Sequence, residues 1–125
     1  MSKSFFGMVR EFHEKFGVPA PEIPGFPSIQ RQRLRWDLIK EELAELERAD
    51  SIEDLIEVAD GLADLVYVIC GMALEYGIPL DEVFAEVHRT NMAKVGGPLR
   101  DDGKILKPEG WEPPNIKAIL MKDGR

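Results

Sequence analysis

The sequence predicts an all-α protein, a four-helix-type bundle with a long central helical hairpin and an irregular C-terminal tail, assembled as a homo-oligomer. The first observation behind this prediction is that apolar residues recur every three or four positions in successive segments, which is the helical period. The second is that capping residues and glycine stops separate these segments. The third is a stretch from Glu57 to Leu74 that is apolar on nearly every side, as a buried helix is.

Composition fits one domain over residues 1–125, with an N-terminal helix and proline-rich connector (1–27), a helical core (28–95) and an irregular tail (96–125). The net charge of −7 argues against a nucleic-acid partner, which needs a basic surface. The N-terminus does not resemble a signal peptide, and no apolar stretch reaches the ~20 residues of a membrane span. Cys70 has no second cysteine for an intrachain disulfide. We therefore expect a cytoplasmic protein that binds no membrane.

The first helix is expected over residues 4–16, because its aromatic and aliphatic residues follow the helical period and Gly17 is a natural stop. Residues 18–27 contain four prolines and should form an extended connector. Ser28 is a candidate N-cap for a second helix that continues to about Arg48.

A short turn at residues 49–51 should join this helix to the apolar one, with Ser51 and Asp54 forming a capping box. The apolar helix should then run over residues 52–76 and end at Gly77. Two helices joined by so short a turn pack as an antiparallel hairpin. A fourth helix is expected over residues 80–94, and Asp102-Gly103 permits a small hairpin in the tail.

Two groups of carboxylates lie on either side of the turn between the hairpin helices: Glu41, Glu42 and Glu45 before it, and Glu57 and Asp60 after it. Antiparallel helices should bring both groups to one level. Mg²⁺ prefers such oxygen ligands, and the spacing of three or four residues lets one helix offer several of them. The sequence therefore favours a metal site over a solvated acidic face.

Asp64 follows on the same helix, and its role is left open: it is either a member of this site or a structural acid that pairs with an arginine or caps a neighbouring helix. A dinuclear iron bundle is the obvious rival, but it normally needs Glu-x-x-His pairs. The two histidines are His13 and His88, and neither has a glutamate three residues before it. The iron site is therefore excluded.

Glu41-Glu42-x-x-Glu45 followed by Glu57-x-x-Asp60 resembles the EExxE…ExxD signature of the all-α nucleoside triphosphate pyrophosphohydrolases, which include MazG-like proteins and phosphoribosyl-ATP pyrophosphohydrolase. The resemblance covers residues 28–95. Within that range, residues 64–78 and 87–94 also resemble the compact MazG-like proteins. It implies cleavage between the α and β phosphates that depends on Mg²⁺, with Mn²⁺ as a substitute, and it implies a homodimer or dimer of dimers. The chain departs from the MazG form at Gly61, where a glutamate is usual.

Carried over by position, the resemblance implies that Glu42, Glu45, Glu57 and Asp60 bind metal, and that Glu41 is a further ligand or a water-activating base. Catalysis would then rest on Glu41, Glu42 and Glu45. Asn91, Lys94 and Lys104 are the candidate substrate-binding residues, although an asparagine and a lysine near a helix C-terminus also have a purely structural explanation.

The function implied is a house-cleaning nucleoside triphosphate pyrophosphohydrolase, a hydrolase acting on acid anhydrides that releases a nucleoside monophosphate and pyrophosphate. Two alternatives stay open. One is phosphoribosyl-ATP hydrolysis in histidine biosynthesis, and the other is a non-catalytic oligomerisation module in which the metal is a structural strut.

Overall fold

A computed structural model describes residues 3–122 and confirms the all-α fold, since these residues form helices with no strand beyond one isolated bridge. The helices are α1 (Phe5–Phe16), α2 (Ile29–Ser51), α3 (Leu55–Glu75), α4 (Leu80–Met92) and α5 (Ile116–Leu120). The chain divides into two compact units, one up to Leu80 and one from Asp81 onwards. No helix among the described residues is long and apolar enough to cross a membrane.

The first helix lies where its sequence signals predict it. The Ser4 hydroxyl accepts a hydrogen bond from the backbone N–H of Gly7, and Gly17 ends the helix in the left-handed conformation with φ 68°. A residue without a Cβ adopts that conformation at little cost, so the glycine fixes the stop.

Helices α2 and α3 form the predicted hairpin, and two contacts fix its antiparallel sense. Gly61 on α3 faces Leu46 on α2, whereas Glu75 near the end of α3 pairs with Arg31 near the start of α2. Ser28 caps α2 as predicted, by accepting from the N–H of Arg31.

The predicted capping box at the turn is wrong. Ser51 belongs to the last turn of α2, where its hydroxyl donates to the carbonyl of Arg48 at 2.7 Å. Asp54 is the N-cap of α3 instead and accepts from the N–H of Glu57. Serine and aspartate both cap helices well, but the Ser51 hydroxyl hydrogen-bonds to a backbone carbonyl of its own helix and does not cap the next one. Helix α3 therefore begins at Leu55, later than predicted.

The core of the first unit lies between α1 and the C-terminal half of α3. Phe6 and Val9 of α1 are buried against Cys70, Ala73 and Leu74 of α3. The expectation that α3 is buried on every side therefore holds only for its last turns, from Cys70 to Glu75, because Val66, Tyr67 and Ile69 are partly exposed. At the other end, Leu55 and Ile56 are each 80% exposed.

A buried ion-pair cluster joins the start of α2 to the end of α3. Arg31 donates to both oxygens of Glu75, at 2.7 and 2.8 Å, and the buried Arg35 donates to one of them. Burial would raise the pKa of Glu75, but the two guanidinium groups outweigh it and hold that pKa below its usual value.

The proline-rich connector forms neither helix nor strand, as predicted, and is tied to the helices along its length. The Nδ1–H of His13 donates to the carbonyl of Pro19 at 3.1 Å, and Gln32 donates to the carbonyl of Pro27 at 2.8 Å. Between these points the N–H of Gly25 donates to the carbonyl of Tyr76 at 3.0 Å. The connector is thus a fixed part of the first unit.

In the second unit, residues 98–106 form the small hairpin predicted at Asp102-Gly103. Leu99 and Ile105 make an antiparallel bridge, and Gly103 has φ 91° at the tip. The chain then returns to α4, where the indole N–H of Trp111 donates to the carbonyl of Thr90 at 2.7 Å.

Candidate active site

The two predicted acidic groups lie side by side on α2 and α3 of the first unit. Glu42 interacts electrostatically with Glu41 and Glu45 on its own helix and with Asp64 across the hairpin. Asp64 interacts in turn with Asp60 and with Glu45. We call these five residues (Glu41, Glu42, Glu45, Asp60 and Asp64) the acidic cluster.

Glu42 is the member of the acidic cluster whose charge is least compensated. Its Oε2 atom is buried and has no hydrogen-bond partner in the described structure. Burial raises the pKa of Glu42, and the negative charges of Glu45 and Asp64 raise it further. A buried carboxylate oxygen without a donor is costly, so this position favours a cation or a proton.

Asp64 belongs to the acidic cluster, although the sequence left its role open. Burial raises its pKa first, and the charges of Asp60 and Glu45 add to the effect. No arginine contributes to this shift, so the alternative of an arginine-paired structural acid has no support here. The signal for its placement was the four-residue spacing from Asp60, which puts both side chains on one face of α3.

Glu57 lies at the edge of the acidic cluster and is more exposed than Glu42 or Asp64. It shares a shallow cavity of about 170 Å³ with Glu45, beside Arg48. Among residues 3–122, no three His, Cys, Asp or Glu side chains are arranged so that they could hold a metal ion as they stand. A cation would therefore have to draw these carboxylates together, and their role as ligands stays a prediction.

The packing around Gly61 explains why the glutamate that is usual in MazG proteins is absent from this position. A Cβ there would lie 3.3 Å from the Cα of Leu46, because α2 and α3 approach closely at this level. The position thus faces the partner helix, which leaves little room for a carboxylate side chain. The same close approach brings Glu45 and Asp64 near each other from opposite helices.

The predicted substrate-binding residues Asn91, Lys94 and Lys104 belong to the second unit. Lys94 lies just beyond α4, with its ammonium 5.3 Å from the centroid of the Trp111 ring. Lys104 is exposed in the hairpin, and Asn91 is exposed near the end of α4. Their contact with a substrate stays a prediction.

The family model for phosphoribosyl-ATP pyrophosphohydrolase matches residues 9–91, which is more than half of the chain and includes the whole acidic cluster. The chain belongs to this family. The family is part of the MazG-like all-α nucleoside triphosphate pyrophosphohydrolase superfamily, so the resemblance carried by the acidic motifs is confirmed. Membership supports a pyrophosphohydrolase of the MazG-like type.

A curated relative of this chain is an uncharacterized protein of Acanthamoeba polyphaga mimivirus, 40% identical over 77 residues. The match covers 58% of this chain but 31% of the viral protein, so the chain spans less than a third of that relative's length. This relative is itself uncharacterized, so the match shows similarity over part of both chains and does not indicate an activity.

Proposed function

We propose that the chain is a cytoplasmic, Mg²⁺-dependent nucleoside triphosphate pyrophosphohydrolase that cleaves between the α and β phosphates and removes unwanted nucleotides from the pool. The observation that carries this proposal is the uncompensated acidic cluster, with the orphaned buried oxygen of Glu42 at its centre. Carboxylates that crowd together without a cationic partner fit a hard divalent cation better than they fit a structural role.

In this proposal Glu42, Glu45, Glu57 and Asp60 hold the metal, with Mn²⁺ as a substitute for Mg²⁺, and Asp64 joins them. A bound Mg²⁺ would neutralise phosphate charge and lower the pKa of a coordinated water. Glu41 is exposed at the rim, where it would accept the proton of the attacking water. Asn91, Lys94 and Lys104 would bind the phosphates by donating hydrogen bonds.

The direct test is pyrophosphate release from a panel of ribo-, deoxyribo-, uracil-containing and oxidised triphosphates, together with phosphoribosyl-ATP. We expect activity with Mg²⁺ that chelator abolishes, and a loss of at least ~100-fold in Glu45→Gln and Asp60→Asn. Glu47→Gln is the matched control, because Glu47 is an exposed acid on the same helix outside the acidic cluster. Full activity in both site variants, or with chelator present, would refute the proposal.

A second readout does not depend on turnover. Mn²⁺ should raise the melting temperature of the wild-type chain and of Glu47→Gln, because a ligand that binds only the folded state stabilises it. The increase should be absent in Glu45→Gln and Asp60→Asn. An increase in melting temperature without turnover of any nucleotide would favour a metal-stabilised strut.

We propose self-association as a homodimer or dimer of dimers through the exposed half of α3. Leu55 and Ile56 are both largely exposed, and Leu62 is 53% exposed, which is a large apolar surface for one small helix. Ile56→Glu should lower the molar mass measured by light scattering, whereas Glu53→Gln in the adjacent turn should not. A monomeric wild-type chain would refute this part of the proposal.

A further inference from the structure

The second unit contains a basic cluster in which Lys94, already a candidate substrate-binding residue, is joined by a lysine that the resemblance does not include. Two lysine ammonium groups lie against one indole: Lys94 at 5.3 Å and Lys107 at 5.2 Å from the ring centroid of Trp111. The indole N–H donates to the backbone carbonyl of Thr90, so the ring is fixed on α4. We call these three side chains (Lys94, Trp111 and Lys107) the lysine–indole cluster.

The small hairpin is what brings the two lysines to one ring, although 12 residues lie between them in the chain. The N–H of Leu106 donates to the carbonyl of Pro98 at 2.8 Å, so Lys107 follows directly after the hairpin has closed. The closure needs a glycine at Gly97, where a Cβ would overlap the carbonyl oxygen of Leu106. The placement of Lys107 is thus determined by backbone contacts, independently of its own side chain.

The lysine–indole cluster holds positive charge without a compensating acid. In the part of the second unit that the structure describes, Arg89, Arg100 and Lys122 each form a salt bridge with an acidic side chain. Lys94 and Lys107 are in no salt bridge there. The indole attracts each ammonium, but two cations on one ring repel each other, and an anion would relieve that repulsion.

We propose that the lysine–indole cluster binds the phosphate chain of a polyphosphate ligand, which in the proposed function is the triphosphate of the substrate. The inference rests on that function for the identity of the ligand but not for the binding itself. Lysine binds phosphate as a point charge, and a chain of phosphates presents several negative charges to the two ammonium groups. Trp111 holds both lysines in place, so it serves as their anchor and not as a surface for a nucleobase.

The test uses Trp111 as its own reporter. The chain has two tryptophans, so in Trp36→Phe the tryptophan emission comes from Trp111 alone. Inorganic tripolyphosphate is titrated into this full-length variant in the presence of chelator, so that no divalent cation contributes. We expect a saturable change in Trp111 emission whose midpoint gives the dissociation constant.

Lys107→Gln in the same background should weaken tripolyphosphate binding roughly tenfold, since a hydrogen bond to a charged group is lost. Lys107→Arg should retain the binding, because the charge is kept. Lys117→Gln is the matched control, an exposed lysine of the second unit outside the lysine–indole cluster. Its dissociation constant should equal that of the parent.

Three results would overturn the inference. The first is the absence of both a saturable change in emission and a heat signal in titration calorimetry. The second is equal affinity of Lys107→Gln and Lys117→Gln for tripolyphosphate, and the third is that orthophosphate binds as tightly as tripolyphosphate. The outcome is separable from that of the proposed function. Binding without hydrolysis of any nucleotide would refute the enzymatic proposal alone. Hydrolysis with an unchanged KM and unchanged binding in Lys107→Gln would refute the lysine–indole cluster alone.

Discussion

Replacing Glu75 by glutamine should destabilise the first unit more than any other single change from carboxylate to amide. The Glu75 side chain is fully buried, and that of Arg35 is 8% exposed, so the variant leaves a guanidinium in the interior without its counter-charge. Removal of one partner from a buried ion pair costs about 3–5 kcal/mol in the free energy of unfolding. We expect about 3 kcal/mol, because Arg31 remains partly exposed to solvent and the amide oxygen can still accept one hydrogen bond.

The loss can be measured by urea unfolding followed through the fluorescence of Trp36, which lies in the first unit, with Trp111→Phe as the background. Glu11→Gln is the matched control, because it breaks an ion pair with Lys3 in the same unit whose side chains are 64% and 54% exposed. An exposed pair contributes at most about 1 kcal/mol. Equal unfolding midpoints for Glu75→Gln and Glu11→Gln would refute the reasoning.

The stabilisation that Glu75 provides through its ion pairs depends on pH. Because the pKa of Glu75 is lowered in the folded state, its stabilising effect is complete above the ordinary pKa of 4.5 and is lost as the pH falls through the folded value. The difference in stability between wild type and Glu75→Gln should therefore shrink as the pH is lowered below 4.5. A difference that stays constant in acid would contradict a charge-based mechanism.

Three further predictions concern the first unit. Burial lowers the pKa of His13, so the melting temperature should fall as the pH decreases below 6.5, and His13→Gln should remove this slope while His88→Gln keeps it. Asp54→Ala removes the N-cap of α3 and should cost about 1 kcal/mol in urea unfolding, with unchanged stability contradicting the capping assignment. Gly71→Ala should cost about 1–3 kcal/mol, since the new methyl group overlaps the Arg35 guanidinium, and a gain in stability would show that Arg35 moves freely.

The fold could be predicted from the sequence because its determinants are local. Ser28 and Gly17 act within one helical turn of their own positions, so the C-terminal end of α1 and the start of α2 follow from short motifs. The boundary between α2 and α3 could not be predicted as reliably, since Ser51 and Asp54 are both good caps. Which of the two residues caps α3 depends on the backbone group that each side chain reaches in the folded turn.

The site was predictable in its composition but not in its details. The spacing of Glu42 and Glu45 indicated an acidic cluster, whereas the position of Asp64 depends on how closely α2 approaches α3 at Gly61. The convergence of Lys94 and Lys107 depends on contacts formed after the hairpin closes, so no helical period or short motif encodes it.

Helix α2 separates its charges along its length. Arg31 and Arg35 lie in its N-terminal third, and Glu41, Glu42 and Glu45 lie just beyond its middle. Glu75 compensates the two arginines, whereas none of the three glutamates forms a salt bridge within residues 3–122. Like charges four residues apart disfavour a helix, so a cation that binds these glutamates will favour folding of the hairpin as well. Ligand binding at the three glutamates is in this way linked to the stability of the whole first unit.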